Sequence, residues 1–123
     1  MEVLIKKCKS GNVYKFVNEY WETSYAWGHK TTIIRNGYDY EGHKVRYYNR
    51  TWECYEYQTC MSGAVEEIRD LDMNRYIMNY KYEHNYERFK KGEKQKVIDM
   101  WKQTEFAKDC EELKEAIRDR KFD

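Results

Sequence analysis

The side chains best suited to chemistry in this 123-residue chain are three histidines, His29, His43 and His84, and four cysteines, Cys8, Cys54, Cys60 and Cys110. Their spacing matches no familiar reaction: there is no HExxH pair, phosphate-cradling glycine loop or nucleophile elbow. His29 and His43 lack a local carboxylate constellation, and His84 sits in a tyrosine-rich run. Cys54 and Cys60 do not share a helical face, so a zinc site would need Cys8, Cys110 or a histidine brought in by the fold. Free cysteines commonly pack as small hydrophobes. The sequence therefore predicts no enzyme, no cofactor and no metal.

Recognition is better supplied. Tyrosine occurs 13 times, and 17% of the chain is aromatic. Buried tyrosine hydroxyls need partners, and rings in surplus of a small core suit contact surfaces. Three sets of candidate partner-binding residues stand out. Arg46, Tyr48, Arg50 and Trp52 would form a patch of guanidinium groups and rings suited to phosphate and stacked bases. The alternative for that stretch is structural: Asn49 turns the chain, Thr51 caps a helix, Glu53 and Glu56 favour its positive end, and Trp52 packs over its start. That alternative comes first, because caps and anchoring rings are commoner than sites. Trp27 beside His29 would stack a base or fill a partner's pocket, although a loop tryptophan more often pins its loop to the sheet. Tyr82 and Tyr86, with the basic residues Arg88, Lys90 and Lys91, form the third set, which continues in Lys94 and Lys96.

The elements that would position these residues divide the chain in two. Val3 to Lys7 reads as a first strand, and Ser10-Gly11-Asn12 is a hairpin turn. Val13, Phe16, Val17, Tyr20 and Trp21 fit either period; their β-branched and aromatic character next to a turn favours a strand. Glu22 to Gly28 reads as a loop carrying Tyr25 and Trp27, and Thr31 to Arg35 as a strand ending at the Asn36-Gly37 turn. A further strand is expected from His43 to Tyr48. The period changes at Asn49, with a helix expected to start near Thr51. Tyr57, Cys60, Met61, Ala64, Val65, Ile68 and Leu71 lie on one helical face. Gly63 inside that helix costs about 1 kcal/mol relative to alanine, which points to close packing there.

Farther on, Met73, Tyr76, Ile77 and Tyr80 keep helical spacing, with Tyr82, Tyr86 and Phe89 on another face and Gly92 as a stop. Rings on two faces call for two partners, one of which would be the core and the other a ligand, a neighbouring helix or a second copy of the chain. Val97, Ile98 and Trp101 mark a short helix. Thr104 caps the last one, with Phe106, Cys110, Leu113 and Ile117 as its apolar seam. The expectation is a single α+β domain: an N-terminal antiparallel β-sheet meander over 1–50, packed by an amphipathic helix and followed by a helical C-terminal region over 51–123.

Net charge is +1, divided as +4 over residues 1–50 and −3 over 51–123. This argues against an acidic DNA mimic and against a basic coat on duplex DNA. The chain shows no secretory leader, no CxxC pair and no apolar run near the roughly 20 residues a membrane span needs. A reducing cytoplasm is the expected location.

The stretch YYNRTWECYEY (47–57), with YAWGHK (25–30) upstream, resembles small, mostly uncharacterised proteins of bacteriophages and prophages in which an aromatic strand enters an NRTWE-type turn and then a helix. The resemblance covers Tyr20 to Ile68. Genes of that kind sit among inhibitors of host defence, anti-CRISPR proteins included. It implies a non-enzymatic inhibitor acting on a host protein or ribonucleoprotein complex in the bacterial cytoplasm, and it transfers no site residue. A nucleic-acid-binding module using the basic, aromatic sheet face is the second expectation. In either case aromatic side chains, first Trp27, Tyr48 and Trp52 and then Tyr82 and Tyr86, are expected to carry recognition.

Overall fold

Alternating and β-branched residues at the start of the chain build the sheet. In the computed structural model, which describes residues 2–36, 54–57 (backbone only), 59–84 and 88–123, β1 (Glu2–Lys7), β2 (Val13–Glu22), β3 (Trp27–Arg35) and β4 (Cys54–Tyr57) pair antiparallel in sequence order. The first turn forms as its residues demand: Gly11 adopts φ 97°, and Cys8 N–H donates to the Asn12 carbonyl at 2.9 Å. The ambiguous segment after it is a strand. Leu4, Tyr14, Phe16, Thr31 and Ile33 share the face that meets the helices, since Leu4 lies opposite Phe16 and Phe16 opposite Ile33.

Three expectations about boundaries need correction, the last of them at Gly92 farther along. The supposed loop from Glu22 to Gly28 is only Thr23 to Ala26, because β2 continues to Glu22 and Trp27 already opens β3. The first helix does not start near Thr51: Cys54–Tyr57 is strand β4, paired to Thr31–Ile34, and α1 runs from Met61 to Glu83 with Cys60 at its N-cap. Local periodicity placed Tyr57 and Cys60 on the helix. A free edge on β3 and the β propensity of a tyrosine-rich tetrapeptide favoured the sheet instead. The expected strand from His43 to Tyr48 and the turn at Asn49 to Thr51 lie outside the described residues.

The helical period does hold from Met61, where Met61, Ala64, Val65 and Ile68 are buried. Gly63 is tightly placed as expected, since a Cβ there would collide with the Thr59 side chain. Thr59 is itself held, its carbonyl accepting from Thr31 Oγ1 at 2.9 Å. Leu71 and Met78 are exposed. With 23 residues α1 is about 34 Å long, and only its first half packs on the sheet core. Its second half buries Ile77 near α2 (Glu93–Trp101), whose Val97 and Trp101 are also buried. Trp101 Nε1 donates to Asp72 Oδ2 at 2.9 Å, and the Arg69 guanidinium lies 5.4 Å from its ring centre. Gly92 is not the stop of the preceding helix; it is the left-handed N-cap of α2, while α1 ends at His84.

The last helix, α3 (Glu105–Asp119), is capped as its sequence predicts, Thr104 Oγ1 accepting from Ala107 N–H at 3.3 Å. Phe106, Cys110 and Leu113 are buried against Tyr14, Phe16 and α1, with Ile117 partly so. Beyond the helix the chain returns to the sheet edge. Phe122 packs edge-on to Phe16, and Asp123 N–H donates to the Ile5 carbonyl at 2.8 Å.

One polar cluster joins α3 to the β1–β2 turn. Asp109 is fully buried and accepts from Tyr14 Oη at 2.7 Å, Ser10 Oγ at 2.7 Å and Asn12 Nδ2 at 2.9 Å. Burial, and then the bond to Asp109, push the Tyr14 hydroxyl far above its ordinary pKa, so it stays a donor. Removing a donor from a buried carboxyl costs about 1–3 kcal/mol. Tyr14→Phe should therefore lower the unfolding free energy by that amount in urea, with Ser10→Ala, nearer the solvent, costing less. A Tyr14→Phe protein as stable as wild type would remove the cluster from any stabilising role.

Candidate functional site

The free end of the β2–β3 hairpin gathers several rings that the core does not use. Thr23 sets the turn: its N–H donates to the Ala26 carbonyl at 2.7 Å, and its Oγ1 accepts from Ala26 N–H at 3.0 Å. This fixes Tyr20 opposite His29 and Trp21 opposite Gly28. Period-two alternation then puts Tyr20, Trp27 and His29 on the face that carries Phe16 and Ile33 farther along. The helices reach no farther than Asn18 and Thr31, so Trp27 is 66% exposed and Tyr20 and His29 are open as well.

The three rings touch one another. Tyr20 stacks on Trp27 at 6.4 Å, and His29 meets Tyr20 edge-on at 5.4 Å and Trp27 at 5.9 Å. On the opposite face the Trp21 ring lies against Gly28, so closely that a Cβ at that position would overlap it. Tyr25 stands at the tip, 90% exposed. The charges nearby, Glu19, Glu22 and Lys30, nearly cancel, and Glu19 pairs with Lys30 at 3.5 Å. A rigid aromatic ledge with little net charge suits a protein surface, whose contact energy comes from desolvated rings.

Of the predicted site residues, Trp27 and His29 are therefore brought together, in a different way from the one expected. Trp27 does not pin a loop to the sheet; it is a strand residue held by Tyr20. Sequence reasoning missed Tyr20 as a site residue, although pairing the two strands across a four-residue turn would have found it. Tyr82, Arg88, Lys90 and Lys91 are exposed near the end of α1 and the start of α2. There Tyr80 stacks on His84 at 4.0 Å and lies 6.4 Å from Phe89, and Lys81 sits over the Phe89 ring at 5.4 Å. These contacts lie at the helix end that carries Tyr82 of the third set, which is itself 86% exposed. Arg46, Tyr48, Arg50, Trp52 and Tyr86 lie outside the described residues.

No family model, curated protein or solved structure matches this chain.

The cysteines differ in chemistry. Cys60 is exposed at the start of α1, and hydrogen bonds from the Ser62 hydroxyl and then the Gly63 N–H hold its pKa below the ordinary thiol value. Burial pushes Cys8 up to about 12 and Cys110 higher still. Since the thiolate is the nucleophile, iodoacetamide should label Cys60 in the native protein, with a rate that rises at a lower pH than for an ordinary cysteine. Cys8 and Cys110 should react only after unfolding. Peptide mass mapping over time checks this, and early labelling of Cys8 or Cys110 would contradict the buried placement.

Proposed function

We propose that the protein acts by binding, without catalysis, as a phage-type inhibitor that docks on a host defence protein in the bacterial cytoplasm through the aromatic end of the β2–β3 hairpin. The inhibitor class rests on the resemblance of Tyr20 to Ile68 to phage accessory proteins. The docking surface rests on one observation, the exposed ledge of Tyr20, Trp27 and His29 with Tyr25 beyond it. Tyrosine and tryptophan offer large contact area at small cost in rotamer freedom. Trp21 packed over Gly28 stiffens the hairpin, which reduces the ordering required on binding.

The second reading is a single-stranded nucleic-acid module, favoured by the same rings because any base will stack on them. The two readings differ in their response to salt. Phosphate binding weakens steeply as salt rises, whereas a contact made by rings near Glu19, Glu22 and Lys30 does not.

The test pairs an electrophoretic shift on short single-stranded and duplex oligonucleotides, at two salt concentrations, with pulldown against a panel of purified host defence effectors. The protein-docking reading expects no shift and capture of an effector. Trp27→Ala and Tyr25→Ala should then each weaken capture by about 2 kcal/mol or more, roughly 30-fold, with folding intact by circular dichroism. Replacing Arg88, Lys90 and Lys91 together by alanine should leave it nearly unchanged. A salt-sensitive shift would favour the nucleic-acid reading, and loss of capture in the Arg88, Lys90, Lys91 variant alone would move the contact to the helices.

A further inference from the structure

Where the β1–β2 turn crosses α3, three side chains that can bind metal converge from two elements. Asp109 and Glu112 lie three residues apart on one face of α3, and Cys8 ends the approach from β1. The Cys8 sulfur and one carboxyl oxygen from each acid all lie within 4.8 Å of one another. Cys8 is only 3% exposed and Asp109 is fully buried, while Glu112 is half-buried and reaches the surface.

We propose that Cys8, Asp109 and Glu112 form a binding site for a thiophilic divalent cation of the zinc class. A thiolate beside two carboxylates suits a borderline-soft ion, whereas magnesium and calcium select oxygen ligands alone. Ligands at about 2.0 and 2.3 Å in a tetrahedral site stand about 3.5 Å apart, so the set closes on an ion by side-chain rotations of about an ångström. The half-buried Glu112 is free to make the largest of them.

Two further observations support the site. First, both carboxyls are already oriented by neutral donors. Ser10, Asn12 and Tyr14 donate to Asp109, and the Lys9 N–H donates to Glu112 Oε1 at 3.0 Å. Such outer hydrogen bonds orient carboxylate ligands in metal sites, and neutral donors leave the negative field for a cation to offset. Second, a cleft of about 950 Å³ between the β1–β2 turn and the helices is lined by Asp109 and Glu112, so an ion can reach the carboxylate side of the cluster, although Lys9, Arg69, Lys102 and Lys108 also line it and Cys8 does not. On binding, the Cys8 S–H bond breaks, the sulfur electron pair goes to the metal and the proton leaves to water.

Cobalt(II) is the probe, because a cobalt–thiolate bond gives a near-ultraviolet charge-transfer band. The full chain with Cys60 changed to serine should develop that band to one cobalt per chain, and zinc should displace it. Cys8→Ser should abolish the band. Glu112→Gln, at a half-buried position that tolerates the change if Cys8→Ser does not fold, should weaken cobalt binding at least tenfold. Ser10→Ala, which loosens Asp109, should weaken it about 10- to 100-fold. No band at millimolar cobalt would overturn the proposal, as would a band of unchanged strength in folded Cys8→Ser or Glu112→Gln.

Discussion

The buried carboxyl of Asp109 decides how the two halves of this protein meet. A polar group at zero exposure is tolerable only when its lone pairs are satisfied, and here the three donors, Ser10, Asn12 and Tyr14, all come from the β1–β2 hairpin. The helix carrying Asp109 can therefore sit on the sheet in only one position without stranding that group. Apolar packing of Phe106, Cys110 and Leu113 on Phe16 supplies most of the attraction, but it is not directional. The hydrogen bonds choose the register. Tyr14 serves both purposes, its ring in the core and its hydroxyl on Asp109, so this buried ring leaves no polar tip unpaired.

Anchoring α3 at the Ser10 turn leaves the other end of the sheet beyond the reach of the described helices. β2 is ten residues long, about 33 Å, and only its Tyr14 to Asn18 portion lies under the helices. Just ahead of α1 the Thr59 carbonyl accepts from Thr31 Oγ1, and the helix then leaves the sheet for α2. The inner face of the hairpin therefore continues past the helical layer with the same alternation, and among the described residues no helix covers it. Tyr20, Trp27 and His29 occupy positions that would be core in a longer helical layer, and they pack on one another in its place.

The features legible in the sequence were those decided within a few residues. The Ser10-Gly11-Asn12 turn needs a residue at positive φ, the Thr104 cap needs a hydroxyl before a helix, and the Phe106-Cys110-Leu113 seam is one face of one helix. What went astray depended on partners far along the chain. Tyr57 fitted a helical face, in a helix expected from near Thr51, until β3 offered Cys54–Tyr57 an edge to pair with. Gly92 suited either end of a helix, and only the chain direction after Lys91 made it a start. Asp109 gave no signal at all, because an aspartate amid charged neighbours on an amphipathic helix reads as solvated until Tyr14 is seen above it.

Trp27 shows why exposure and rigidity have to be considered together. Its ring gains little from burial where it stands, and an exposed tryptophan favours non-specific association. A loop would let such a ring fold back onto the nearest apolar surface. In β3 it cannot do so, since cross-strand pairing fixes it beside Tyr20, His29 braces it edge-on, and Trp21 packs against Gly28 on the far side. The hairpin thus holds its rings outward at a cost to solubility that burial does not offset. A contact made by such a surface starts with most of its side-chain entropy already lost in folding, so each ring that a partner covers contributes nearly its full desolvation energy to affinity.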